Sequence, residues 1–369
     1  MKLVRTLIAG TSLAALAGCG TSAGVNPPPR TDFGSVFVLN SVGKTIGRFS
    51  VGEGLSVAAP DIVLPENFDG DAIDVFSPLF VTTISSFGGS QLIFGSLENG
   101  SQLQVAFQGA GTAVNPGKAT LSVNVAGEVN AWVAGRGTNQ VFRATPNQAV
   151  ASLVSQDVGE FVERVLPGGN VLVLVDANLD DEGGTFQPLG DARVIVINVT
   201  SGLQVAAFSL PGSVNARDAI FTEDRLTVMA SGGFDANFMP VGNGTLVQTR
   251  PSASAVVETL PLGGNGLSLE AGKNGRVYVT TTLDFQSIQV LMFNPSTGDW
   301  VRGPDNPIQP VDVNGADIAC WVATAMADGR LLCATFSTAA PGRLYLLDSN
   351  GAEISSITSG FGSTDIALR

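Results

Sequence analysis

One strand–turn–strand pattern returns along the chain every 51 residues or so on average, and that recurrence limits the fold more than any other feature. Each copy has an apolar strand, a turn built from Asn, Asp, Ser or Gly, and a second strand. Copies begin at Val36, Leu92, Val141, Val194, Leu246, Val290 and Leu344. Val194 to Leu210, turning at Thr200-Ser201-Gly202, is the clearest; Phe293 to Gly298 and Leu347 to Gly351 repeat its turn chemistry. A second hairpin lies between copies. Gly266-Leu267-Ser268-Leu269 precedes Asn274-Gly275 and Val277-Tyr278-Val279, and Asp317-Ile318-Ala319-Cys320 precedes Asp328-Gly329 and Leu331-Leu332. Two hairpins make four strands per interval. No window of a dozen residues keeps a 3.6 period with caps, so no long helix is predicted.

Four antiparallel strands recurring at such an interval predict an all-β chain folded as a seven-bladed β-propeller, because one four-stranded blade cannot bury both faces unless blades stack around a ring. A pair of β-sandwiches fits the regular period less well. The closing blade is expected to come from both termini. Val36 begins a mid-blade strand and Asp365-Ile366-Ala367-Leu368 reads as an innermost one. On that register the closing blade has three strands, or the register at its N-terminal end is shifted.

The first eighteen residues read as an address. Lys2 and Arg5 precede an apolar run from Leu7 to Leu16, too short to span a bilayer and typical of a cleaved signal. It ends Leu16-Ala17-Gly18-Cys19, which resembles the bacterial lipobox. The resemblance implies cleavage before Cys19, acylation of its thiol, and, with Gly20 rather than Asp next in line, an outer-membrane address. Residues 19–32 then form a tether with Pro27-Pro28-Pro29 at its centre, and residues 33–369 form the propeller domain. The expected partners are the lipid bilayer, through acylated Cys19, and a protein or small ligand, with the chain itself a monomer.

Composition excludes several classes. With no His there is no Ser-His-Asp or Cys-His pair and no His-ligated metal. A net charge of -13 disfavours nucleic acid and anionic lipid surfaces. Trp132, Trp300 and Trp321 have no periodic placement, against the docking repeats a quinoprotein would want. Beside Cys19 the chain holds Cys320 and Cys333, nearly symmetric about the turn at Ala327-Asp328-Gly329. In an exported protein these predict a disulfide across one hairpin, the alternative being two buried thiols.

Two groups of acids are candidate sites. Asp176, Asn178, Asp180 and Glu182 alternate as oxygen ligands do in a calcium loop, although Asp181 stands where that loop wants Gly; the other reading is a solvated acidic loop. Asp71, Glu160, Asp218, Asp317 and Asp365 fall at leading positions of the inferred innermost strands, which predicts an acidic ring around a central channel. The alternative is that each acid binds backbone of its own or the next blade.

The strand-and-turn pattern, with Val277-Tyr278-Val279-Thr280 as its nearest tetrapeptide, resembles the YVTN, NHL and lactonase-like group of bacterial propellers over residues 33–369. Two functions follow. One is a membrane-tethered binding or scaffold module with no catalytic residues. The other, implied by the resemblance, is lactonase-like hydrolysis using calcium held by channel carboxylates and amides. The absence of any compact catalytic motif favours binding.

Overall fold

The computed structural model describes residues 34–84, 89–109, 114–180, 186–222 and 224–369. Cys19, the signal and the tether lie outside them. The described chain is all-β, with helix limited to a single 3-10 turn at Pro251–Ala253. It opens with β1 (Ser35–Asn40), β2 (Thr45–Val51) and β3 (Leu55–Val63). Next come β4 to β7 (Gly70–Phe76, Leu79–Ile84, Gln91–Ser96, Gln102–Phe107) and β8 to β11 (Thr120–Val123, Val129–Gly135, Gln140–Ala144, Val150–Ser155). β12 to β15 (Val162–Gly168, Val171–Asp176, Arg193–Asn198, Gln204–Ser209) and β16 to β19 (Ala216–Thr222, Arg225–Ala230, Thr245–Arg250, Ala255–Pro261) follow. The last are β20 to β23 (Asn265–Ala271, Val277–Thr282, Ile288–Asn294, Asp299–Arg302), β24 to β27 (Cys320–Ala325, Leu331–Thr335, Arg343–Leu347, Glu353–Thr358) and β28 (Ser363–Leu368).

These strands form six sheets, five of them four-stranded and antiparallel. The sixth has eight strands because β7 and β11 touch through a short parallel pairing, Val150 with Ala106 and Ala151 with Phe107; on either side of it lies an ordinary four-stranded meander. The first strands of successive meanders pack in sequence, β4 on β8, β8 on β12, β12 on β16, β16 on β20 and β20 on β24. β24 packs on β28 and β28 on β4, so the ring closes.

β13 shows why the strands read as continuous apolar runs. In Val171-Leu172-Val173-Leu174-Val175 the valines pack with Ala216, Leu226 and Val228 of the following meander. The two leucines pack with Trp132 and Val141 of the preceding one. A strand with period two is buried on both faces only if a sheet lies on each side. Every such side chain removed from water contributes about 1.5–3 kcal/mol. The turns are fitted to this stacking. Gly202, with φ +68, ends the β14–β15 turn against the preceding meander, where an added Cβ would lie 2.2 Å from the carbonyl oxygen of Val154. Its own carbonyl accepts a hydrogen bond from the Ser155 hydroxyl.

The repeat copies at Leu92, Val141, Val194, Leu246, Val290 and Leu344 all fall on third strands. Val36 does not. It lies on β1, the second strand of the closing sheet β28-β1-β2-β3, which therefore has four strands. The β1–β2 hairpin resembles a third–fourth hairpin because every neighbouring pair in a meander is a hairpin, and apolar pattern alone does not number them. The closing sheet does draw on both termini, with Val36 opposite Leu368 and Val38 opposite Ile366. Cys320 and Cys333 are bonded across the β24–β25 hairpin with Cα atoms 5.3 Å apart. Closing a loop of this length contributes about 3 kcal/mol in the chain-entropy view.

Candidate functional site

Each first strand after β8 carries a bulge near its start. Glu163 lies between Val162 and Arg164 in β12, Arg217 between Ala216 and Asp218 in β16, and Trp321 between Cys320 and Val322 in β24. The extra residue turns toward the mouth of the ring, and the residue after it enters the interior. Glu163, Arg164, Arg217 and Asp218 occupy these two positions, and Asp71 on β4, Lys118 before β8 and Arg136 after β9 complete the site.

Two ion-pair clusters result. Deeper in the ring, Asp218 is 1% exposed and accepts from Lys118 Nζ at 2.6 Å, Arg164 Nη1 at 2.8 Å and the Ala219 N–H at 2.8 Å. Burial pushes its carboxyl up, but Arg164 and Lys118 outweigh this and hold it below the usual carboxylate range. Nearer the mouth, Arg136 binds Glu163 through Nε at 2.7 Å and Asp71 through Nη2 at 2.9 Å, and sits 5.9 Å from the centre of the Phe161 ring. Burial likewise works against the Asp71 carboxyl, but Arg136, Lys118 and Arg217 bring it below its ordinary value.

The expected acidic ring is therefore corrected. Asp71, Asp218 and Asp365 do lie on first strands facing the interior. Glu160 and Asp317 do not: both are exposed and precede β12 and β24. Glu163, Asp74 and Glu270 supply the interior acids the sequence reading missed, and Lys118, Arg136, Arg164 and Arg217 offset them. Glu160 falls in the connection before β12, which starts at Val162, and the bulge there puts Glu163 at the cavity instead. Asp317 belongs to a local turn in which it bridges Val311. The missed signal was charge inside otherwise apolar strands, as in Glu163-Arg164 and Arg217-Asp218. Backbone recognition across units also occurs: Asp365 accepts the Ile73 N–H at 2.9 Å and Asp74 the Leu121 N–H at 2.7 Å.

Asp365 is also hydrogen-bonded to the carboxyl of Glu270. Burial and then the charge of Asp365 push Glu270 well above its ordinary 4.5. Burial raises Asp365 too, against Lys118 and the Ile73 N–H. The pair holds a proton above the usual carboxylate range. A carboxyl raised on folding contributes stability that is present below its unfolded value and lost as pH rises through the raised one. Glu270→Gln keeps a hydrogen-bond donor that never ionises. It should melt above the wild type at about pH 8, by on the order of 1 kcal/mol, with the gain gone by about pH 4. A gain independent of pH in thermal unfolding would contradict the shared proton.

The proposed calcium loop is also spoken for. Asp176 is fully buried, pairs with Arg193 at 2.5–2.8 Å, and accepts the N–H groups of Glu160 and Asn178. The Asn178 amide donates to the Asp191 carbonyl, and the Asp180 N–H to that of Gln187. Glu182 lies outside the described residues. Among the described residues no three Asp, Glu, Cys or His converge as a metal site would require, and the Asp176 carboxylate is taken up by Arg193 and backbone N–H groups.

Above the ion pairs a cavity of about 590 Å³ opens at the mouth, walled by Phe161, Phe186, Phe234 and Phe238, with Arg217 and Asn215 at its edge. Phe186, Phe234, Phe285 and Phe336 lie in the second–third connections of four successive meanders. Phe87, in an equivalent connection, is outside the described residues. From Phe234 a row of rings leaves the cavity: Phe285 at 6.3 Å, then Trp321 at 6.3 Å, then Phe336 at 5.0 Å. The recurrence of Phe near this spacing was readable in the sequence, but its meaning depended on all these connections emerging on one face.

No family model and no curated protein sequence matches the chain. Solved structures do match. The chain is similar to a protein from Lactobacillus plantarum at 10% identity and TM-score 0.63, over 91% of this chain and 99% of that one. It is also similar to a functionally unknown protein from Desulfotomaculum acetoxidans, at 12% identity and TM-score 0.57, over 91% and 98%. A candidate 6-phosphogluconolactonase from Bacteroides fragilis matches at 12% identity and TM-score 0.56, over 93% and 99%. The chain is a β-propeller. At such identities the likeness carries the fold of the propeller and not its activity.

Proposed function

We propose that the protein is a seven-bladed propeller of the cell envelope, anchored through acylated Cys19, whose mouth face binds a ligand or partner segment with an apolar body. The blade count rests on 28 strands in antiparallel groups of four around a closed ring. The observation that carries the binding reading is the aromatic-walled cavity at the mouth, continued by half-exposed rings from successive blades. Its volume suits a small ligand, and monomeric proteins seldom leave contiguous aromatic surface uncovered without a use for it. Lactonase-like hydrolysis would need carboxylate oxygens open to one cation, whereas Asp71 and Asp218 are engaged by Arg136, Lys118 and Arg164.

Orientation favours the same reading. β1 enters the propeller at the end opposite the Ser41–Lys44 turn, and that turn is hydrogen-bonded to Phe361 and Gly362 on the mouth face. A tether joined at Ser35 would hold the cavity away from an outer-membrane bilayer. A photoreactive side chain in place of Phe238, which is 74% exposed at the mouth, should crosslink a ligand or partner in intact envelopes. The same group in place of Val57, 62% exposed on outer strand β3, should capture nothing in common with it. Identical adducts from both positions, or none from Phe238, would count against a mouth-face function.

A further inference from the structure

The charged side chains that line the cavity are engaged by partners within the protein, with one exception among the described residues. Asp71 and Glu163 share Arg136, which is also stacked on Phe161. The Asp235 carboxylate closes its own turn, accepting the N–H groups of Asn237 and Met239. Arg217 differs. Its guanidinium lines the cavity, is exposed, and makes no hydrogen bond or ion pair among the described residues, although its field helps to lower the Asp71 carboxyl. The β16 bulge sends it to the mouth, in the place that Glu163 holds on β12 and Trp321 on β24. An arginine so placed, beside the Asn215 amide and facing phenylalanine rings, is suited to one oxyanion at the edge of an apolar pocket.

Resting on the reading of the mouth as a binding face, we infer that the cavity takes a small amphipathic anion. Its flat apolar body lies among Phe161, Phe186, Phe234 and Phe238, and its carboxylate, sulfonate or phosphate pairs with Arg217. The pocket supplies the affinity of the body through buried area, and Arg217 supplies discrimination for the charged end. A neutral ligand of the same shape gains the first and not the second. Because Arg217 makes no hydrogen bond or ion pair among the described residues, its removal leaves the contacts of the ion pairs beneath the cavity in place.

Two fluorescent probes separate these contributions in the full folded domain: anilinonaphthalene sulfonate, and its uncharged parent phenylnaphthylamine. Wild-type protein should bind both with one-to-one stoichiometry. Arg217→Ala should keep the wild-type melting temperature and weaken the sulfonate by about tenfold, the scale of one charge-assisted hydrogen bond, while moving the neutral dye by less than about twofold. Arg217→Lys should recover part of the loss, and added salt should weaken the sulfonate alone. Phe238→Ser should weaken both dyes. If Phe238→Ser weakens both but Arg217→Ala leaves the sulfonate unchanged, the cavity binds apolar bodies and the anionic preference is overturned. If Phe238→Ser changes neither dye, or neither dye binds, the mouth is not the binding face, and this inference falls with that reading.

Discussion

Asp218→Ala is expected to cost about 3–5 kcal/mol of folding stability, the range for removing one partner of a buried ion pair. The carboxylate joins three blades, because Lys118 precedes β8, Arg164 lies on β12 and Asp218 itself on β16. Its loss leaves two cations buried near the centre of the ring without their contact partner. Equilibrium unfolding in urea would measure the cost. The folded carboxyl lies below its unfolded 3.8, so its contribution is present above that value and lost as pH falls through the depressed one. The gap between wild type and variant should therefore close in strong acid. Combining Asp218→Ala with Arg164→Met should recover part of the loss, since one fewer charge is stranded. A cost below about 1 kcal/mol at neutral pH would mean that Glu270 and Asp365 take over the pairing.

Cys19→Ala should move essentially all of the protein from the membrane pellet to the soluble envelope fraction. Cys19 lies upstream of Gly34, the first residue described, and among the described residues the core is assembled from Val36 onward. A multiply acylated N-terminus holds a protein on a bilayer where a single chain holds it marginally, and the substitution removes the thiol that the proposed anchor would acylate. The melting temperature should be unchanged. Variant protein that still pellets after a carbonate wash would show that something other than the lipid, such as the exposed rings of the mouth, binds the membrane.

How much of this was legible beforehand differs element by element. β13 announces a strand buried on both faces through five consecutive apolar residues, and Cys320 and Cys333 announce their bond through symmetric placement about one turn. Both are local. The position of Val36 within its sheet was not readable, because its partner Leu368 is at the other end of the chain. Glu160 and Asp317 were misassigned for a different reason: a one-residue bulge or a local turn changes which side chain reaches the interior without changing the apolar pattern around it.

From its sequence alone the chain determined an all-β class, the four-strand unit and its interval, the disulfide, and the absence of any His-dependent chemistry. These follow from hairpin periodicity and residue type, which act over a few tens of residues at most. Tertiary structure alone decided the features of the candidate site: that Lys118 meets Asp218 a hundred residues away, that Asp71 and Glu163 share Arg136, that Arg217 makes no hydrogen bond or ion pair among the described residues, and that phenylalanines from separate blades line one mouth. Ring closure sets those distances, and no short segment contains the information on which charges from different blades will meet.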